Sequence, residues 1–215
     1  SHIQMSDSAF SMDHQTVDVS AMITGALSAK RGYYNYYAEL ETAGKCFEWV
    51  MDHLALDEVG VFLEPIKVTD IEGKYRSLYD YLSDEVSKVP PGANGVIFTP
   101  WLHGNRSPFE DSRAGAMFFN IRLENGKRDM LRAVLEGICY HLRWLLECEA
   151  KKVQTSDPIR FVGGGALSPL TCQVLADITG RTIETIDNTQ SVGAMGAALT
   201  VAAGIRGVDL LELNR

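Results

Sequence analysis

The run Phe161-Val162-Gly163-Gly164-Gly165-Ala166-Leu167-Ser168-Pro169-Leu170 carries the residue types best suited to hold a ligand. Glycines in a row after an apolar strand remove every Cβ, so backbone N–H groups can come close to a bound group, and the helix that follows offers its positive dipole end. Ser168 stands at the N-cap position and Pro169 in the first helical turn, a helix-start signature. The same residues also suit a plain tight turn with a cap, and the run itself leaves both readings open. No Gly-Lys-Ser/Thr follows, so the turn is not a P-loop, and the GxGxxG spacing of a dinucleotide fold is absent. Downstream, Gln173, Ala176-Asp177 and Gly180 close the helix. Ser191-Val192-Gly193-Ala194-Met195-Gly196-Ala197-Ala198-Leu199 opens another whose small residues recur on one face, which allows tight packing or a shallow slot for a flat ring.

Other side chains offer less. Arg106 lies in the proline-bounded loop from Thr99 to Pro108 and is a candidate for a phosphate or domain-interface contact, with a surface role as the alternative. His103 in the same loop has no carboxylate or nucleophile beside it in sequence and reads as a solvated histidine. Glu136 and Gly137 fit packing better than chemistry, and Trp49, Trp101 and Trp144 read as core or interface anchors. Cys46, Cys139, Cys148 and Cys172 never form a CxxC pair, which points to reduced core residues and away from a metal site.

These groups need elements to position them. Gly32 to Ala38, rich in tyrosine, reads as a strand, and Glu41-Thr42-Ala43-Gly44 opens an amphipathic helix through Phe47, Val50, Met51 and Leu54. A second helix is expected from about Tyr75 to Lys88, stopped by Pro90-Pro91-Gly92. Strands are expected at Val96–Phe98 and Ala116–Ile121. The spacing of Leu131, Leu135, Ile138, Leu142 and Leu145 predicts a long helix from about Lys127 to Ala150 with one buried face. The last third alternates strand Ile159–Val162, helix Leu170–Thr179, strand Thr182–Ile186 and helix Ser191–Ala203, an α/β rhythm. The first 20 residues are polar and poorly assigned, though Ile3, Met5, Val17 and Val19 suit short strands. The stretch Asp57 to Gly73 reads as a surface excursion, so residues 1–215 are taken as one domain. Its 215 residues, 46% apolar and 22% charged, suffice for a real core. With 28 acidic against 20 basic residues and no basic run, nucleic acid is not an expected partner. Neither a membrane span nor a signal pattern is visible, and the expected location is cytoplasmic.

Four runs, in order, resemble the C-terminal domain of FGGY carbohydrate kinases: Arg132-Ala133-Val134-Leu135-Glu136-Gly137, Gly163 to Ser168, Ala176-Asp177-Ile178-Thr179-Gly180, and Gly193-Ala194-Met195-Gly196-Ala197-Ala198. The loop Pro100-Trp101-Leu102-His103-Gly104-Asn105-Arg106-Ser107-Pro108 is most similar to the xylulokinase-like branch, and the match runs from about Glu41 to Ala203. The resemblance implies a ribonuclease-H-like, actin-like ATPase domain with a mixed sheet flanked by helices. It implies ATP or ADP with Mg²⁺ as ligands, and a sugar held mainly by an N-terminal domain that these residues do not include. By position it places Gly164 and Ser168 at the adenosine, Gly163 and Gly165 as shapers of the turn, and Asn120 near the ribose or phosphates. Asn120 stands where many members have glycine, and Ser168 where glycerol kinases have asparagine. The family's general-base aspartate sits in a Gly-Asp-x-x-Ala segment that this sequence lacks, so no catalytic residue is expected within it and the 215 residues alone are expected to be inactive. Xylulose is the first expected substrate, with glycerol, gluconate, ribulose and fuculose as alternatives. A non-catalytic actin-like nucleotide-binding or assembly module is the second reading, and an α/β domain that binds nothing is the third. An exposed apolar face, with homodimer formation through it, is a further expectation.

Overall fold

The longest regular element grows out of the strongest periodicity. Helix α3, Lys127–Ala150, has the bounds its sequence predicts. Asp129, in its first turn, accepts from the Gly126 N–H at 2.9 Å and from Asn94 Nδ2 at 2.9 Å, which satisfies one backbone donor and places a carboxylate at the positive end of the helix. The structure is a computed structural model that describes residues 5–11, 24–27, 34–40, 42–50, 52–53, 78–151, 155 and 157–208. The expectations on Ile3, Val17, Val19, Met51, Leu54 and Asp57 to Gly73 lie outside those residues.

Before α3 come β1 (Met5–Ser11), β2 (Thr24–Leu27), β3 (Tyr34–Leu40), α1 (Ala43–Val50), α2 (Leu78–Ser87), β4 (Ile97–Thr99) and β5 (Met117–Phe119). After it come β6 (Ile159–Arg160), α4 (Pro169–Thr179), β7 (Ile183–Glu184) and α5 (Val192–Arg206). Strand β3 is central in an antiparallel sheet of order β1-β3-β2, with Met5 opposite Leu40 and Thr24 opposite Tyr37. Strands β4 and β5 pair antiparallel, Ile97 opposite Phe119, whereas β6 and β7 pair parallel, Ile159 opposite Ile183. Parallel and antiparallel pairings flanked by helices agree with the expected mixed α/β class.

Several strands are shorter than expected, two of them for a local reason. The run Ala116–Ile121 stops at Phe119 because Asn120 turns into the left-handed region, φ 61°. The run Ile159–Val162 pairs only through Arg160, since Gly163 at φ 94° bends the chain away. Strand β7 likewise covers only Ile183–Glu184 of the expected Thr182–Ile186.

The core forms where α3 meets its neighbours, β3, β4, α1, α2 and α4. Ala38 and Leu40 from β3, Cys46 and Val50 from α1, Phe98 from β4, and Val174 and Leu175 from α4 are all buried against Val134, Leu135, Ile138 and Leu145. The sequence predicts one buried face for α3, yet Asp129, Arg132, Glu136, His141 and Glu149 are buried too, because elements cover the helix on more than one side. Arg132 Nε donates to Glu136 Oε1 at 2.6 Å one helical turn on, and Glu136 also accepts from the Gly92 N–H at 3.0 Å, so these two buried charges are paired. Gly137 is the point of closest approach: a Cβ there would lie 2.3 Å from the Phe98 carbonyl oxygen, so α3 can pass under β4 only with glycine at that position. Among the described residues no helix is long and apolar enough to cross a membrane.

Candidate functional site

Strand β6 feeds the glycine turn, and each of its three glycines has a different reason to be glycine. Gly163, at φ 94° and ψ −170°, occupies a conformation nearly closed to side chains. Its N–H donates to the Thr189 carbonyl at 3.1 Å and to Thr189 Oγ1 at 2.9 Å, which locks the bend. At Gly165 a Cβ would stand 3.0 Å from the Phe161 ring. Gly164 has neither constraint: its φ is ordinary, and the only atom an added Cβ would meet is Gln190 Nε2 at 3.9 Å. The fold tolerates a side chain there, and what glycine provides instead is open backbone.

Residues Gly164–Leu167 form one tight helical turn, and α4 starts directly after it. Ser168 caps α4 as expected, its Oγ accepting from the Thr171 N–H at 3.2 Å, with Pro169 in the first turn. A second hydroxyl, Ser83 Oγ of α2, lies 3.4 Å from Ser168 Oγ. Two half-buried hydroxyls from separate helices therefore flank the open backbone of the turn. Beside it lies an open concavity of about 330 Å³ lined by Ala166, Pro169, Cys172, Gln173, Ala176 and Ile183 among others. Helix α5, expected to pack its small residues or to leave a slot, instead leaves Gly193 and Gly196 with nothing within 4 Å of an added Cβ. Such a surface can hold a flat ring or an anion through N–H groups and hydroxyls. It presents no nucleophile and base as a pair, and no group of three or more His, Cys, Asp or Glu converges among the described residues to hold a metal.

The other candidates sit elsewhere. Asn120, at the end of β5, uses its side-chain amide on the Gly95 carbonyl at 2.9 Å. Its left-handed backbone explains why glycine suits the same position. Arg106 pairs with Glu39 of β3 at 2.7 Å and is about half exposed, so a carboxylate of this chain already engages the guanidinium. His103 is exposed.

The loop that carries Arg106 is anchored by a residue the sequence gives no cue to single out. His141 of α3 donates from Nε2 to the Ser107 carbonyl at 2.9 Å, which leaves Nδ1 to accept from Trp101 Nε1 at 3.3 Å. Acceptance at Nδ1 requires the neutral ring. Burial pushes His141 down to about 4, against the opposing pull of the Ser107 carbonyl. Trp101, Phe109 and Trp144 pack around it, with Phe109 and Trp144 ring centroids 5.8 Å apart. Thr42 Oγ1 donates to the Pro100 carbonyl at 2.6 Å, tying the start of α1 to the same loop.

All four cysteines are free thiols. Burial pushes Cys46 and Cys139 up to about 12, so neither is a thiolate at neutral pH.

Comparison with known proteins yields a consistent set of likenesses. The family described as FGGY family of carbohydrate kinases, C-terminal domain, matches residues 7–205. A xylulose kinase of Bacillus subtilis is 31% identical over 134 residues, 62% of this chain and 27% of that protein. Among solved structures, a ligand-bound xylulose kinase from Lactobacillus acidophilus superposes with a TM-score of 0.77 at 24% identity, covering 96% of this chain and 38% of the other. A Plasmodium falciparum glycerol kinase with ADP gives 0.69 at 19% identity, covering 93% and 36%. The chain thus spans only about 27% of the length of the curated relative it matches.

Proposed function

From its membership in the FGGY family of carbohydrate kinases, to which this chain belongs as a C-terminal domain, we infer that it is the nucleotide-binding part of an ATP-dependent kinase for a pentulose or related polyol. Its fold is the ribonuclease-H-like, actin-like ATPase fold of the family's solved members. Xylulose is the first substrate to test, because xylulose kinases stand among the relatives. Residues 1–215 act as one domain in the cytoplasm, and the sugar is bound mainly by residues outside this chain. The second reading, a non-catalytic actin-like assembly module, is not favoured by relatives that are named as kinases.

One observation carries the site assignment: Gly164 is a glycine that neither φ nor packing demands, between Gly163, which φ demands, and Gly165, where a Cβ would press the Phe161 ring at 3.0 Å. Open backbone at that point, with the Ser168 and Ser83 hydroxyls beside it, fits an adenosine moiety. Gly163 and Gly165 set the shape of the turn, and Ser168 offers a hydroxyl to the ring or ribose. When ATP is bound it supplies the phosphoryl group. Mg²⁺ would be held mainly by the phosphates of the nucleotide and would neutralise their charge. Asn120 and Arg106, spoken for by Gly95 and Glu39, would reach the phosphates only by exchanging those partners.

The test is a thermal shift with millimolar ADP, ATP and Mg²⁺, with NAD as control. A rise with ADP that is absent with NAD is expected. It should vanish in Ser168→Lys and Gly164→Val, and a rise unchanged in both variants would place the nucleotide elsewhere.

A further inference from the structure

Helix α4 turns one face to the concavity beside the glycine turn. Pro169, Cys172, Gln173 and Ala176 recur along it at spacings of three and four, so they stand in one row, with Ala166 before them and Ile183 across from them. Most of this lining is apolar and small, and its volume of about 330 Å³ lies within the range of small-molecule sites, roughly 300–1,000 Å³. Apolar walls hold a ring without reading its edge, and a base is told from its analogues only by a hydrogen-bonding group fixed in place. Among the described residues, three polar side chains reach the concavity: Cys172, Gln173 and Thr185. The Cys172 thiol is taken up by the Ala166 carbonyl at 3.8 Å, and the Thr185 hydroxyl both donates and accepts, so neither discriminates. Gln173 differs. Its Nε2 donates to Asp177 Oδ1 at 2.7 Å, one helical turn further on. Reversing the amide would set Oε1 against the carboxylate, acceptor against acceptor, so Asp177 fixes which way the amide faces. Oε1 is left as the end opposite the carboxylate.

We propose that Gln173 reads the base of the nucleotide: its Oε1 accepts from the exocyclic amino group of a 6-aminopurine lying in the concavity. A 6-oxopurine presents a carbonyl at the same edge, acceptor against acceptor, and is disfavoured. This role rests on the nucleotide reading of the glycine turn and adds the residue that sets its selectivity. The spacing suits it, because five residues of helix at about 1.5 Å each separate Ser168, beside the ribose, from Gln173, and a purine spans a similar reach from its ribose to its far edge. Asp177 is a positioning residue that acts through the direction it gives the amide. Gln173 is exposed, so its bond competes with water and is worth a modest factor, about fivefold in affinity.

Titration calorimetry of the 215-residue chain with ADP and with inosine diphosphate, each with Mg²⁺, tests this. ADP should bind about fivefold more tightly. Gln173→Met keeps the length and helix preference of the side chain but has no amide, and should bring the ratio of affinities to about one. Asp177→Asn frees the amide to face either way and should also erase the preference, whereas a residue needed only for the fold would weaken the two nucleotides alike. Circular dichroism checks that both variants fold. Equal affinities in the wild type, or a preference that survives Gln173→Met, overturn the proposal and leave the nucleotide reading standing. No binding of either diphosphate to the wild type overturns both.

Discussion

Neighbouring glycines with different reasons to be glycine separate folding from binding at the scale of single residues. Gly163→Ala forces a side chain into φ 94° and should lower stability by roughly 1–3 kcal/mol in urea unfolding, with the Thr189 bonds strained. In Gly164→Val the added Cβ meets nothing closer than the end of Gln190, so the stability loss should be smaller than that of Gly163→Ala, about 1 kcal/mol or less, yet any ADP-linked thermal rise should be abolished. Equal stability losses in the two variants would refute the division. His141 makes a separate prediction. Its folded value of about 4 lies below the ordinary 6.5, so the unfolded chain takes up the proton first. Stability from the neutral ring is full above pH 6.5 and declines as pH falls toward 4, by about 3 kcal/mol over the window at 1.36 kcal/mol per unit. His141→Gln should flatten the melting temperature between pH 6.5 and 5, and an unchanged slope would mean that another group titrates there.

At the scale of elements the helix–strand crossing at Gly137 sets the tightest tolerance. A methyl placed 2.3 Å from the Phe98 carbonyl cannot be accommodated by a rotamer change, since the atom it meets is backbone. Gly137→Ala should therefore cost about 3 kcal/mol or more by displacing β4 from α3, seen as a lower urea midpoint and a loss of near-ultraviolet signal from Trp101. Helix α3 was legible because a 3.6-residue period over 24 residues leaves little freedom of register. Strand β1 was less so: Met-Ser-Asp-Ser-Ala-Phe-Ser is polar at most positions, and it becomes a strand by pairing with β3 far along the chain. The site divides along the same line. Its glycine run is contiguous and could be read directly, whereas Thr189 lies 26 residues from Gly163 and Ser83 lies 85 from Ser168, contacts that no local pattern announces. The loop with Arg106 was legible as a loop but not as one anchored by His141, because the histidine sits 34 residues away inside a helix that otherwise reads as apolar packing.

For the whole molecule the question is whether the proposed nucleotide surface can turn over substrate by itself. Phosphoryl transfer draws most of its acceleration from positioning the two reactants and neutralising charge between them, and little from covalent chemistry. Among the described residues the turn from Gly163 to Ser168 offers open backbone and a hydroxyl, and no group of three or more His, Cys, Asp or Glu converges to hold a metal. The 215-residue sequence also contains no Gly-Asp-x-x-Ala segment to supply the base. ADP formation from millimolar ATP and Mg²⁺, followed by a coupled assay with xylulose, ribulose, glycerol or gluconate, should therefore stay at the sugar-free blank, even in preparations where ADP raises the melting temperature. Binding without turnover is the signature of a domain that holds the phosphoryl donor and leaves the acceptor to another part of the protein. Sugar-dependent turnover by these residues alone would mean that a carboxylate within them acts as the base, and the division of labour between donor and acceptor halves would have to be abandoned.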